Sequence, residues 1–583
     1  MFLTKKRLFF AWFSLCLLTS TQPMLPDSNA AFEDDFFGPN REIEGDPFEL
    51  EDPFADYLGN LDEEDLGVGP LRSNPNPAYI LIPVMNECGM VEIFKHSLFC
   101  HTYPLNERNI LDNPIFYTPL SDKKSMTLKG HFFYNHTRKN YFTEQNNGIG
   151  SYLAINHSTF TQALQNSFNR TLEIETCRDF FTNTIGIEEE YFETDIQQKF
   201  ALLKNIRVED RRVGVMFELL APFNNLNYVT QLIFNLKIPF LYRERNVTAS
   251  SKDITRLKDD ISEFFPQTTE TPDASLMEVI KNPFVREYAI RDKIGFGDSR
   301  LSIGYKVADT EKYQFALGPE FTFPTAITLQ HNVWSTARKI PPKRPTFDLS
   351  EFFQRADANP EVALVRELKD IGTSAIERLD DMLLNTGLGN GGHFGLGIFI
   401  EPTVHFNKDT HWYNRLAFEA LLPGTHRRYF LKKVDISEFD GRDFASDDET
   451  IADDNMSFLN QRLLDMVFPN DFLVRVTPGA QLKITSIVDH VHGNWKFKLG
   501  TDYWLQGRES FRFIDMNSTG IANYEIERGR RPSAKQLKFL GGFAYDTTVG
   551  NATTRLFLNA ETTAFSSGIG KDFTVAGGLV VTW

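Results

Sequence analysis

The chain has 583 residues and a formal net charge of −17, which argues against nucleic acid as a partner. Its 53 Phe are a surplus of the kind that aromatic girdles at two membrane interfaces use. No stretch beyond the first 30 residues approaches the ~18 continuous apolar residues of a membrane-spanning helix. The length leaves several soluble domains, or one large barrel with long loops.

Residues 1–30 read as a secretory signal peptide. Lys5, Lys6 and Arg7 form a basic start, Leu8 to Leu18 form an apolar run too short to span a bilayer, and Ser28-Asn29-Ala30 offers small residues for cleavage. An exported chain without an apolar helix is either soluble or a β-barrel, because only helices and closed barrels satisfy their backbone in lipid. Residues 31–76 are acidic, and Asp46-Pro47-Phe48 recurs as Asp52-Pro53-Phe54. This density of charge with Pro and Gly predicts disorder, as a solvated spacer in preference to a Phe-bearing docking tail. Residues 77–124 read as a small periplasmic or plug segment, in which Cys88 and Cys100 are candidates for a disulfide in an oxidising compartment. Cys177 is left over, and three thiols with no CxxC pattern make no metal site.

From Met126 onward the sequence alternates with period two, the signature of strands. In YVTQLIFNLKIPFLY, Leu232, Phe234, Leu236, Ile238 and Phe240 oppose Ile233, Asn235 and Lys237. In WKFKLGTDYWLQG, Trp495, Phe497, Leu499, Tyr503 and Leu505 oppose Lys496, Lys498, Asp502 and Gln506, with Trp504 as an exception. Leu556 and Leu558 oppose Arg555, Asn559 and Glu561, and Phe557 is the exception there. Short turns follow Phe223, Val307, Phe406, Val488 and Tyr545, and long connections lie between them. That alternation belongs to outer-membrane barrels, with short periplasmic turns and long outer loops. Five hairpins, a first strand from Met126 and a last strand to Trp583 predict an all-β transmembrane antiparallel barrel of about twelve strands. A further pair near FNRTLEIETC would raise the number to fourteen.

On the polar faces the lumen candidates are Glu218, Lys237, Lys306, Arg415, Glu419, Lys483, Lys496, Lys498, Asp502, Lys538, Arg555 and Glu561. They carry both signs. Interdigitated pairs would stabilise a filled barrel, whereas rings of one sign would select ions. The long connections hold helical spacing at EVALVRELKDIGTSAIERLDDMLLN, KDITRLKDDISEFF and SFLNQRLLDMVF, as constrictions of the mouth or as surface helices. His490 and His492 share a strand face near Asp489, but no third ligand supports a metal site. No glycine-serine nucleophile motif occurs, so neither an enzyme nor a cofactor is expected.

The chain ends TVAGGLVVTW, whose last eight residues resemble the C-terminal assembly signal of bacterial outer-membrane β-barrel proteins. Gly578 fills the glycine position, Val581 the hydrophobic one and Trp583 the terminal aromatic one, while Ala576 departs from the polar position. The resemblance covers the chain from about Met126 and implies recognition by the barrel-assembly machinery, with outer-membrane lipid as surroundings. It implies a porin-like channel for small solutes in the outer membrane of a Gram-negative-type bacterium, or alternatively a surface structural or adhesion protein anchored by a filled barrel. No narrower family is indicated, and the sequence does not fix an oligomeric state.

Overall fold

The computed structural model of the protein describes residues 101–120, 125–139, 207–223, 232–248, 290–331, 378, 381–384, 387–433, 449–514, 518–550 and 552–583. The expected signal peptide, the acidic stretch, both candidate disulfide cysteines, the FNRTLEIETC stretch and the KDITRLKDDISEFF stretch lie outside these residues.

The wall strands in chain order are β1 (Thr127–Lys139), β2 (Arg207–Phe223), β3 (Leu232–Thr248), β4 (Ile290–Phe296), β5 (Ser299–Asp309), β6 (Tyr313–Phe323), β7 (Ile327–His331), β8 (Gly395–His405) and β9 (Thr410–Leu421). Three others, β10 (Gly424–Phe430), β11 (Asn470–Thr477) and β14 (Ser510–Phe513), pair in a small separate sheet. The wall resumes with β12 (Gln481–His492), β13 (Trp495–Gln506), β15 (Ala534–Val549), β16 (Ala552–Ser567) and β17 (Lys571–Thr582). All pairings are antiparallel, and β2 pairs with both β1 and β3, so the sheet closes on itself. β4 and β5 are two halves of one wall strand beside β3, and β7 continues β6. The barrel therefore has twelve strands. A fourteen-strand barrel is ruled out, because the extra pair would have to enter between β1 and β2, which bond each other directly from Thr127↔Leu220 to Thr137↔Asp210.

The outer face is apolar. Leu499 is 71% exposed, Ile398 66% and Phe132 61%, and Phe217, Leu416, Phe418 and Phe539 stand out around the same wall. The inner face is charged and shut off from solvent, with Lys538 and Glu401 both 0% exposed. A soluble protein has the opposite arrangement, and lipid selects this one. Exposed Tyr305, Tyr313, Phe406, Trp412, Trp495, Tyr545 and Trp583 ring the short-turn end as an interfacial aromatic girdle. Two tight features set the register. The β12–β13 hairpin turns on Gly493, whose φ of 60° suits glycine. The break between β4 and β5, at Gly297-Asp298, faces Pro239 of β3, which has no N–H to give to the ladder.

β2 and β3 each run 17 residues and rise further toward the loop end than the hydrophobic alternation extends. Their upper pairs are charged, such as Arg211↔Glu244 and Asp210↔Arg245. At that end the β10–β11–β14 sheet has its own core of Phe430, Val474 and Val476, with Phe472, Phe511 and Phe513 packed on it. The helix α1 (Glu449–Val467) precedes β11, begins before the SFLNQRLLDMVF stretch and covers it up to Val467. Among the described residues no helix is long and apolar enough to cross a membrane.

Candidate functional site

Residues 101–120 occupy the barrel lumen and join no strand of the wall. They form two short 3-10 turns, Ile110–Asp112 and Pro114–Phe116. The Asn109 side chain caps the first turn by accepting from Leu111 N–H at 3.1 Å, and Pro114 opens the second. Irregular backbone at membrane depth needs partners from the protein, because no lipid can supply them. The charged wall provides these. Ile115 N–H donates to Glu561 Oε2 at 2.9 Å, and Leu120 N–H to Glu401 Oε1 at 2.6 Å. Lys237 Nζ donates to Phe116 O at 2.7 Å, Arg300 Nη1 to Leu111 O at 3.3 Å and Arg212 Nη1 to Arg108 O at 3.0 Å.

Three side chains of the segment complete ion-pair networks. Arg108 Nη2 meets Asp502 Oδ2 at 2.5 Å and lies over the Trp504 ring, 5.8 Å from its centroid. Asp112 Oδ1 meets Arg300 Nη1 at 2.6 Å and also pairs with Lys483. Glu107 meets Arg243 at 2.7 Å and Arg245 at 3.0 Å, and Asp210 holds the same two arginines from the wall. Taking these charges out of water costs several kcal/mol each, and only their mutual geometry offsets that.

Apolar contacts complete the seal. Ile110, Leu111, Ile115 and Phe116 cluster with the inward-facing Phe133, Met216 and Leu241. Leu120 packs with Leu220, Ile233 and Phe399, and Tyr117 with Tyr413, Ile487 and Leu540. These wall residues stand among the charged side chains of the inner face. In a water-filled bore they would be wet, and against the segment they are buried.

Every charge read from the alternation stands on the inner wall. Glu218 accepts from Thr118 Oγ1 at 2.8 Å and lies 3.3 Å from Lys129 Nζ. Lys237 reaches Glu218 at 3.8 Å as well as Phe116 O. Arg415 pairs with Glu320 and lies 3.4 Å from Glu401, its guanidinium 4.0 Å from the Phe399 centroid. Glu419 joins Lys483 at 2.7 Å and Arg300 at 3.2 Å. Asp502 also accepts from Thr485 at 2.6 Å. Lys538 sits between Glu561 at 2.9 Å and Asp572 at 2.8 Å. Near the short turns, Lys496 pairs with Asp489 at 2.7 Å, Lys498 is Asp489's ladder neighbour, Arg555 pairs with Asp546 at 2.5 Å and Lys306 lies 3.8 Å from Asp309. The signs are mixed at every level, so the described lumen has no single-sign ring.

Sequence reasoning missed Asp210, Arg243, Arg245, Arg300, Glu320 and Glu401 on the wall, and Glu107, Arg108 and Asp112 in the segment. The charged runs EDRR and RER next to apolar alternation marked Asp210, Arg243 and Arg245, and Arg300 and Glu320 stand on the polar faces of alternating strands, Arg300 on that of Lys306. The two exceptions to alternation proved informative. Trp504 is fully buried in the lumen against Arg108, and the Phe557 ring packs 4.9 Å from His131. His490 Nδ1 lies 3.0 Å from Thr410 Oγ1, and among the described residues no group of three or more His, Cys, Asp or Glu is placed to hold a metal.

Among the described residues, space remains at the loop-end mouth. A cavity of about 580 Å³ opens there, lined by Arg108, Arg212, Arg243, Arg428 and Arg531 with Glu107 and Asp381. His393 and His426 touch across it, Nε2 to Nε2 at 2.9 Å. Burial holds both imidazoles neutral, and nearby Arg428 adds to the effect at His426, whose pKa falls to about 3. His101, at the top of the segment, falls to about 4 by burial and the charge of Arg528.

No family model and no curated protein matches the sequence. Solved structures with a related outline include an outer membrane channel from Pseudomonas putida F1, at 10% identity over 79% of this chain and 96% of that one, with a TM-score of 0.32. The toluene transporter TodX of Pseudomonas putida matches at 10% identity over 84% and 97%, with a TM-score of 0.27. The β domain of the Bordetella autotransporter BrkA matches at 5% over 78% and 99%, also with a TM-score of 0.27. Scores this low transfer neither fold nor function, and the barrel reading rests on this chain's own strands, belt and closure.

Proposed function

We propose that this protein is an outer-membrane channel for small solutes, held shut by its own residues 101–120. The observation that carries the reading is that the segment fills the bore without contributing a strand to the wall. Its departure would leave all twelve strands hydrogen-bonded and would open a lumen lined by both charge signs. In this reading lipid covers the apolar belt, and the assembly machinery reads Gly578, Val581 and Trp583. Mixed wall charges favour small polar solutes over one class of ion.

A second reading, a surface structural or adhesion protein, draws support from the folded β10–β11–β14 sheet and from the extent of bonding that keeps the lumen filled. Single-channel conductance in a planar bilayer separates the two. The full chain is expected to be silent or to open rarely, and a chain lacking residues 31–124 to give discrete steps. Inserted, folded protein that stays silent in both forms would sink the channel reading in favour of the anchor.

A further inference from the structure

The segment in the lumen has a direction. At its start, Thr102 N–H donates to Arg528 O at 3.0 Å and Thr102 Oγ1 to Tyr429 O at 2.6 Å, both in the loop-end structure. Asn106 Nδ2 donates to Gly568 O at 2.8 Å, in the β16–β17 connection at the same end. Midway, Arg108 reaches Asp502 and Asp112 reaches Arg300. At its finish, Thr118 and Leu120 bond Glu218 and Glu401, in the short-turn halves of β2 and β8. The chain then enters β1 at the short-turn rim, where Thr127 pairs with Thr582 and Met126 O accepts from Trp583 N–H at 3.2 Å.

The polypeptide therefore descends the lumen once, from the loop end to the short-turn end. For the chain before His101 to lie on the short-turn side, it would have to traverse the bore a second time. At the short-turn half of the lumen the described residues leave no room for that. The pocket left beside Thr118 and Lys129 measures about 70 Å³, and a water's share of liquid is about 30 Å³.

We infer that the barrel is a conduit for its own polypeptide: it displays the chain amino-terminal to His101, with the acidic 31–76 stretch, on the outer surface of the cell. This rests on the membrane reading above, with the short turns inward. It does not depend on solute passage. Ion pairs hold the segment at its upper and middle levels, and apolar contacts hold it beneath. The displayed chain is thereby tied to the wall along the whole lumen.

The test uses the full chain expressed in a Gram-negative host. One strain carries an epitope between Asn76 and Pro77, and another carries it in the Gly493-Asn494 turn. The expected result is equal antibody labelling of the first on intact and permeabilised cells, and labelling of the second only after permeabilisation. A first epitope that also requires permeabilisation overturns the display while leaving the membrane reading standing. A turn epitope open on intact cells overturns the orientation, and the display with it. The untagged chain gives an independent check, because trypsin on intact cells should release peptides ending at Arg41 and Arg72 while the barrel stays in the membrane. Their retention in cells whose outer loops are cut also overturns the proposal.

Discussion

At the residue scale, burial makes single side chains decisive. Asp112 is 6% exposed and answers both Arg300 and Lys483. Asp112→Asn leaves those cations short of charge in a closed lumen, where losing one partner of a buried pair costs about 3–5 kcal/mol. Glu419 and Glu320 still face them, so the loss belongs at the lower end of that range. The midpoint of heat-induced unfolding in detergent should fall measurably, and an unchanged midpoint would show that the network does not hold the segment. Gly578 makes a different prediction. A Cβ there would run into Gly130 O across the β1–β17 seam and meet the Phe557 ring at 2.8 Å, whereas one at Gly577 meets nothing closer than 3.5 Å. Gly578→Ala should therefore lower the folded yield and Gly577→Ala should not, with refolding into detergent from purified chain as the readout. Equal yields from both would leave the glycine of the terminal motif without a packing role.

At the element scale, the threaded segment depends on its outer anchorage. His101, His393 and His426 all surround the loop-end mouth as neutral imidazoles, because burial disfavours their charged forms. A His whose folded pKa lies below its unfolded value of about 6.5 contributes stability that is present above pH 6.5 and is lost as pH falls toward the folded value. For His101 that window runs from about 6.5 down to about 4. Amide exchange of residues 102–108 should accelerate as pH is lowered across this window, after correction for the intrinsic pH dependence. His101→Phe should reduce the acid response. A response unchanged by that substitution would assign it to the His393–His426 pair.

At the scale of the whole molecule, the apolar belt and the closed ladder make one cooperative object. The twelve-strand ring is closed, with β1 and β17 completing each other from Thr127↔Thr582 to Lys139↔Lys571 and β2 bonded to both β1 and β3. Such a barrel should resist dodecyl sulfate until heated, so unboiled and boiled samples should migrate differently on a gel. It should also stay with the membrane fraction through a high-salt wash. A single mobility and release by salt would mark a soluble sandwich instead.

Much of this architecture could be read from the chain alone. The five short hairpins and the two terminal strands gave twelve because a half-buried strand must alternate, whatever its neighbours. The same rule placed Glu218, Lys483, Asp502 and Lys538 on the inner wall. It failed on the charged upper ends of β2 and β3, where both faces are polar and no period remains. It also had no means of placing residues 101–120, which follow neither the strand nor the helix period. Alternation determined which side chains face inward, because it is a local property of the backbone. What those side chains meet was decided only when the closed wall brought Asp112 to Arg300 and Phe116 to Phe133, since contacts between residues so distant in sequence depend on the register of every strand between them.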